Sequence, residues 1–244
     1  MSHTEPPISR ASDSGRRFPG LFVVVEGIDG SGSTTHSKLL AKAIKSRGPE
    51  VVLTCEPSSG PIGSLIRQVL QRRLFVPDAT GPRNFAWSTM ALLFAADRMD
   101  HLDSTVAPAL RSGAVVVSDR YDLSSLAYQS VTAHNGPESI PWIRELNAQA
   151  LRPDVTIVID VPAEIAEERR RTRGGAEELF DAREIQSRLA SVYAHAEELV
   201  PHDKVLHVPG VGEVQEVAAR IFETVISAAP AFFQEHASGS RGAP

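Results

Sequence analysis

The sequence has little of several features that would indicate other classes of protein. Cysteine occurs once, as Cys55, so the chain cannot close an intramolecular disulfide. That usage is compatible with a reducing compartment, and we expect the protein to be cytoplasmic. No apolar run approaches the roughly 20 residues that cross a bilayer, so we expect no membrane partner. The first twenty residues also lack the apolar segment of a signal peptide.

A strong excess of basic residues is also absent. The chain carries 25 Lys and Arg against 30 Asp and Glu, which gives a formal net charge of -5. This balance argues against a surface for a nucleic acid polymer, although a local basic pocket can still hold a nucleotide. Hydrophobic residues make up 42% of the 244 residues, an ordinary fraction for a globular protein. We therefore expect small anionic ligands.

Short apolar runs alternate with helical patterns along the chain. Each run is too short for a helix and has the continuous apolar character of a strand buried on both faces. This alternation predicts an α/β fold with a parallel five-stranded sheet and helices on both faces. The predicted strands are residues 21–25, 51–54, 114–118, 155–159 and 205–208, and the main predicted helices are 33–47, 84–111, 138–150, 181–200 and 213–228.

No linker or repeat divides the chain, so we expect one domain over residues 21–228. The segments 1–20 and 229–244 are rich in polar residues, Gly and Pro, and we predict that both are disordered tails.

A glycine-rich loop follows the first predicted strand and precedes the first predicted helix. Its spacing fits the phosphate-loop pattern G-x-x-x-x-G-K-[ST] at every fixed position except the lysine, which is Ser33. Such loops turn backbone N–H groups toward an anion at a helix N-terminus. Thr34 stands where a hydroxyl binds Mg²⁺. A tight turn is the plainer alternative, but the strand, loop and helix order favours a phosphate site.

Two further groups of residues carry side chains suited to nucleotide chemistry. Asp119 and Arg120 follow an apolar strand, where a carboxylate can hold magnesium and a guanidinium can grip a phosphate. An ordinary surface ion pair is the alternative. Phe94 and Arg98 are four residues apart, so they share one face of a predicted helix. A base can stack on the ring, although a core Phe and a solvated Arg would give the same pattern.

Read together, these segments resemble thymidylate kinase, in order and at fitting spacings, from about residue 21 to residue 228. The resemblance implies a three-layer phosphate-loop NTPase fold, and a homodimer. The segments that carry it are residues 22–36, 56–57, 60–63, 93–98, 119–129 and 152–154.

The resemblance implies a role for each matching residue. The loop would wrap the phosphates of ATP, with Mg²⁺ held near Thr34 and Asp119. The loop residues are Gly27, Ile28, Asp29, Gly30, Ser31, Gly32, Ser33, Thr34 and Thr35.

The acceptor nucleotide would be dTMP. By resemblance Phe94 stacks on thymine, while Arg98 and Ser125 lie at the polar edge of the base. Arg120 would hold the acceptor phosphate, and Tyr128 would crowd the sugar 2′ position. Two carboxylates complete the expected set: Asp29 near the sugar 3′ hydroxyl and Glu56 near the reacting phosphates.

The segment at about 169–181 resembles the family's lid over ATP. In members with glycine at the position of Gly30, a lid arginine is catalytic, and here Arg169 or Arg173 would serve. Leu179 departs from the lid pattern, because arginine is common there. Arginine is also frequent at the position of Cys55, which we expect to be a small buried residue near the site.

The leading hypothesis is therefore a kinase that transfers the γ-phosphate of MgATP to dTMP. Two alternatives remain open. One keeps the fold and changes the acceptor to another nucleoside monophosphate or a deoxynucleoside. The other is a nucleotide-binding protein with little catalysis, because Ser33 and Cys55 replace two cations.

Overall fold

The computed structural model describes residues 18–174 and 179–239. Its centre is a parallel sheet of five strands in the order β2-β3-β1-β4-β5. All six residues of β1 are buried, as the continuous apolar run predicts. The strands are β1 Leu21–Glu26, β2 Val51–Cys55, β3 Val115–Asp119, β4 Val155–Asp160 and β5 Val205–Pro209.

Helices cover both faces of the sheet. The side chains of β1 alternate between two core clusters, because successive residues of a strand point to opposite faces. Leu21 and Val23 join one cluster, while Phe22 and Val24 join the other. The predicted fold class is thereby confirmed. The α-helices are α1 Ser33–Lys45, α2 Pro61–Leu70, α3 Trp87–His101, α4 Ala107–Arg111, α5 Asp122–Thr132, α6 Ile140–Leu146, α7 Ala163–Arg173, α8 Arg183–Tyr193, α9 Ala196–Leu199, α10 Val214–Ala228 and α11 Pro230–Gly239.

The helix predicted over residues 84–111 has three parts. It starts at Trp87, and a π-helical turn, Leu102–Val106, separates α3 from α4. Pro108 follows that turn and cannot donate the backbone N–H that a regular α-helix uses at its position. The wider turn before Pro108 was not predicted from the sequence.

Two other predicted helices are shorter or divided. The segment predicted as 138–150 has a 3₁₀ turn, Gly136–Ser139, before α6. Pro141 lies in the first turn of α6, where a missing N–H costs no helical hydrogen bond. The segment predicted as 181–200 is α8 followed by the short α9.

The C-terminal segment differs from the prediction. We expected a disordered tail over residues 229–244, but residues 230–239 form α11. Phe232 is 1% exposed and packs edge to face against Phe233, with ring centroids 5.3 Å apart. These two aromatic residues supply an apolar contact for α11, which the overall composition of residues 229–244 did not indicate. The predicted tail residues 1–17 and 240–244 lie outside the described residues.

Within residues 18–174 and 179–239, no helix combines the length and the apolar character needed to cross a bilayer.

Candidate active site at the carboxyl edge of the sheet

The topology brings the ends of β1 and β3 together beside the start of α1. The two strands are neighbours, with Val25 paired to Asp119, and Cys55 of β2 is paired to Asp119 from the other side. In open α/β sheets, ligands gather outside these carboxyl ends. Polar residues that directly follow the strands therefore converge on one edge.

The loop between β1 and α1 has the conformation that its glycines predict. Gly32 precedes α1 with φ of 96°, in the left-handed region that favours glycine. Gly30 has φ of 91°, and a Cβ there would lie 2.3 Å from the Ala166 carbonyl oxygen on α7. Both positions therefore require glycine, one for its conformation and the other also for its packing.

The N-terminus of α1 is open to an anion. No side chain of the described residues caps it, and the first intrahelical bond is donated by His36 to the Gly32 carbonyl at 3.0 Å. The N–H groups before His36 have no intrahelical acceptor, and the helix dipole favours negative charge there. Ser33 is buried in this turn and provides no charge. The loop thus has the backbone geometry of a phosphate loop, with a neutral serine at the position of the usual lysine.

A hydroxyl and a carboxylate meet beside this turn. The Thr34 hydroxyl donates to Asp119 Oδ2 at 2.5 Å. Among the described atoms, Asp119 Oδ1 is buried and has no hydrogen-bond partner. Hard oxygen atoms of this kind fit Mg²⁺, which commonly takes one or two protein oxygens and completes its shell with phosphates and water. The described residues contain no group of three or more His, Cys, Asp or Glu side chains able to hold a metal.

Arg120 is held in an unusual backbone conformation. Its φ is 74°, and its N–H donates to the Val25 carbonyl at 2.9 Å. The guanidinium donates to Asp29 Oδ1 at 2.7 Å and to Ser124 Oγ at 3.1 Å. A non-glycine residue with positive φ persists only where its surroundings fix it, and such strain is concentrated at functional sites.

Glu26, the last residue of β1, supports the neighbours of Arg120. Its carboxylate accepts from the Ser124 hydroxyl at 2.6 Å, the Tyr193 hydroxyl at 2.9 Å and the Tyr121 N–H at 2.8 Å. Burial raises the pKa of Glu26 to about 7, although these hydrogen bonds and the charge of Arg120 act in the opposite direction. Both hydroxyl groups also contact the Arg120 guanidinium, Ser124 at 3.1 Å and Tyr193 at 3.5 Å.

Arg98 lies deeper than a solvated charge would. It is 1% exposed and donates to Glu56 Oε2 at 2.6 Å, to Ser125 Oγ at 3.0 Å and to Asn147. His101 is 3.2 Å from the other oxygen of Glu56. A buried Arg and carboxylate pair of this kind fixes the geometry around it, because removing either partner leaves an unpaired charge.

Nine of the predicted site residues line one cavity of about 580 Å³. Phe94 is half-buried in its wall, and Cys55, which we expected to be buried, is exposed. The predicted residues in the wall are Asp29, Thr34, Glu56, Phe94, Arg98, Asp119, Arg120, Ser125 and Tyr128.

The two predicted lid arginines do not line that cavity. Arg169 donates to the carbonyl of Ser31 at 3.3 Å and to that of Gly210 at 3.0 Å. Arg173 is exposed at the end of α7. Residues 175–178 of the predicted lid lie outside the described part of the chain.

Two residues that contact the phosphate loop were not predicted from the sequence. Arg170 donates to the Asp29 carbonyl and lies 3.7 Å from Asp181. The Gln186 amide donates to Asp29 Oδ2 at 3.0 Å, and its oxygen accepts from the Asp29 N–H at 3.2 Å. Arg170 lay inside the arginine run but looked equivalent to its neighbours. Nothing in the sequence distinguishes a buried glutamine on an amphipathic helix such as α8 from an exposed one.

Three features define the class of this protein: a glycine loop that opens a helix, a Thr and Asp pair beside it, and an arginine at the end of β3. They are typical of a nucleotide-binding protein with the phosphate-loop NTPase fold. The thymidylate kinase family profile matches residues 25–221. A probable thymidylate kinase of Thermococcus kodakarensis is 36% identical over 207 residues, covering 84% of this chain and 98% of that protein. The chain belongs to the thymidylate kinase family.

Two more relatives support the assignment. A probable thymidylate kinase of Pyrobaculum aerophilum is 42% identical over 156 residues, covering 64% of this chain and 72% of that protein. The thymidylate kinase of Ruegeria pomeroyi is 33% identical over 217 residues, covering 85% and 95%. The resemblance seen in the sequence is confirmed by these matches.

Proposed function

We propose that the chain transfers the γ-phosphate of ATP to dTMP and releases dTDP, for the synthesis of dTTP. Family membership makes it an ATP-dependent phosphotransferase. The main observation in favour of dTMP as the acceptor is the cavity beside the phosphate loop. It is lined by the Phe94 ring, by the buried Arg98 and Ser125, and by Arg120. Its volume of about 580 Å³ suits a small-molecule ligand, and its arginines suit an anionic one.

The acceptor would lie along this wall. In the proposal, thymine stacks on Phe94, and the Arg98 and Ser125 pair borders its polar edge. Arg98 is already bonded to Ser125 at 3.0 Å, so its donors are oriented before a nucleotide arrives. Arg120 holds the acceptor phosphate, and Tyr128, whose ring lies 5.1 Å from the Arg120 guanidinium carbon, borders the sugar.

The ATP phosphates would lie on the loop, at the N-terminus of α1. Thr34 and Asp119 are the residues that would hold Mg²⁺. Magnesium, when bound, would supply positive charge to the phosphates of ATP. Phosphoryl transfer passes through a loose transition state, so aligning two phosphates and surrounding the moving group with positive charge is sufficient.

An arginine of the predicted lid would add further positive charge around the moving phosphate. We propose that Arg169 or Arg173 acts on the transferring phosphate, since both belong to the arginine run of α7. Arg169 is the nearer of the two to the loop, because it bonds the Ser31 carbonyl.

The cellular setting is also a proposal. The single cysteine supports a cytoplasmic location, and the small cavity supports nucleotides as partners, with no nucleic acid polymer and no membrane. A homodimer is supported by exposed apolar side chains on neighbouring helices, Leu92 of α3 and Trp142 of α6.

The acceptor is tested by ADP release from MgATP with a panel of dTMP, dUMP, dCMP, dAMP, dGMP and thymidine. We expect dTMP to give the highest kcat/KM. Phe94→Ala should raise the KM for dTMP about tenfold or more, because base stacking on an aromatic ring contributes about 1–3 kcal/mol.

A matched aromatic variant provides the control. Phe75→Ala removes a partly exposed ring that does not line the cavity, and it should leave this KM within about twofold. Faster turnover of another acceptor would support the kinase with a different substrate. Nucleotide binding without turnover of any acceptor would support a binding protein.

A further inference from the structure

The cationic side chains of the cavity differ in how they are engaged. Arg98 is bonded to Glu56 at 2.6 Å, and Arg120 to Asp29 at 2.7 Å. Arg67 donates to the carbonyls of Pro57 and Ser58. Lys38 lines the same cavity. Within residues 18–174 and 179–239, its ammonium makes no hydrogen bond and no ion pair.

Lys38 also occupies a position from which it can reach the phosphate loop. It lies on α1, four residues after Thr34, and therefore on the same face one turn further along. Side chains of a helix lean toward its N-terminus, and one turn rises about 5.4 Å. The four-carbon stem of lysine is about that long, so the ammonium can lie beside Thr34 and Asp119. Lys38 is exposed, so this movement needs no repacking of the core.

The loop lacks the charge that Lys38 carries. Ser33 is buried and neutral, and Cys55, at the end of β2, is also uncharged. The carboxylates Glu56 and Asp29 already have arginine partners, whereas the phosphates of a nucleotide would add several negative charges near Thr34. Lys38, which has no partner among the described residues, lies on the face of α1 from which it can supply this missing positive charge.

We propose that Lys38 contacts the phosphates of bound ATP and replaces the cation absent at Ser33. The inference rests on the proposed function, in which the bond between the γ-phosphorus and the bridging oxygen of ADP breaks as a dTMP phosphate oxygen bonds that phosphorus. Lys38 keeps its proton throughout and supplies only charge. The ammonium would act beside the transferring phosphate and its leaving group, near Thr34.

The test compares two lysines of one helix. Lys38→Ala and Lys42→Ala each remove an exposed ammonium from α1, but Lys42 does not line the cavity. We expect Lys38→Ala to weaken MgATP and MgADP binding, measured by calorimetry without acceptor, or to lower kcat. The combined loss should be about ten- to a hundredfold. Lys42→Ala should change the nucleotide affinity and kcat by less than about twofold each. Lys38→Arg should retain most of the affinity and kcat of the natural chain. Equal behaviour of the two alanine variants, with unchanged melting temperatures, would overturn the proposal.

A double-mutant cycle tests whether Lys38 replaces the loop cation. Ser33→Lys restores a charge in the loop, and we expect Lys38→Ala to cost at least about fivefold less in that background. An equal cost in both backgrounds would show that Lys38 does not compensate for Ser33. If Ser33→Lys does not fold, the comparison of Lys38 with Lys42 still decides the contact.

The measurement also separates this proposal from the assignment of the acceptor. Binding of MgATP needs no dTMP, so a loss of affinity in Lys38→Ala would support the contact even if another monophosphate proved to be the substrate. Conversely, dTMP turnover with no difference between the lysine variants would leave the proposed function intact and remove Lys38 from it.

Discussion

Single residues in this site act mainly by fixing one another. Arg120 has little freedom, because Asp29 and Ser124 hold its guanidinium and Val25 holds its N–H. Ser124 is in turn bonded to Glu26. The buried carboxylate therefore orients the residue that would hold the acceptor phosphate without facing the cavity itself.

Glu26 predicts a measurable pH dependence of stability. Its pKa rises from 4.5 to about 7 on folding, so the native state binds this proton more tightly than the unfolded state does. The contribution of Glu26 to the free energy of unfolding is therefore full below about pH 4.5 and is lost as the pH rises toward 7. Relative to Glu26→Gln, which does not titrate, the natural chain should lose roughly 3 kcal/mol across that interval.

Urea unfolding of both proteins at several pH values between 4.5 and 8 measures this difference. Ser46→Ala, a change at an exposed residue far along α1, serves as the control and should follow the curve of the natural chain. Parallel curves for the natural chain and Glu26→Gln would contradict the raised pKa.

The sequence predicted some site residues and could not predict others. Thr34, Asp119 and Arg120 could be proposed from the sequence because each directly follows a predicted strand or opens a predicted helix. Tyr193 and Gln186 were missed because their contacts with Glu26 and Asp29 span 167 and 157 positions. Local pattern carries no information about such pairs, which depend on how α8 packs against the sheet.

At the scale of elements, α7 and α8 hold the phosphate loop from outside. Gly30 packs directly against α7, and Gln186 reaches Asp29 from α8. The strands were predictable because burial on both faces leaves continuous apolar runs. The division of the long helix before Pro108 and the ordered α11 were not, since both depend on local packing that composition does not encode.

The arginines of α7 provide a test at this scale. Arg169→Ala, Arg173→Ala and the double variant should lower kcat, by about tenfold to a hundredfold in at least one case, because developing charge on the phosphate loses a donor. Arg171→Ala is the matched control, since Arg171 is exposed and pairs only with Glu168 among the described residues. Steady-state kinetics with MgATP and dTMP measures all four. Near-normal rates in the three test variants would remove the lid arginines from catalysis.

At the scale of the whole molecule, the strand order explains why one edge carries the site. The central strand β1 has β3 and β2 on one side and β4 and β5 on the other, so its carboxyl end lies where the chain changes direction. The loop, Asp119 and the cavity all open at this point. A serine in place of the loop lysine leaves that arrangement unchanged, because the backbone N–H groups at the start of α1 and the helix dipole would still favour an anion there. The fold therefore remains suited to catalysis, at a cost of about 3 kcal/mol for one missing donor unless another cation replaces it.

The most direct test is formation of dTDP from dTMP and MgATP by the natural chain, with Asp119→Asn as the control. We predict multiple turnovers by the natural chain and a loss of about a hundredfold or more in the variant, whose amide is a weaker ligand for Mg²⁺. Tight binding of both nucleotides without dTDP would contradict the account and show that a chain with Ser33 in its loop binds nucleotides without transferring phosphate.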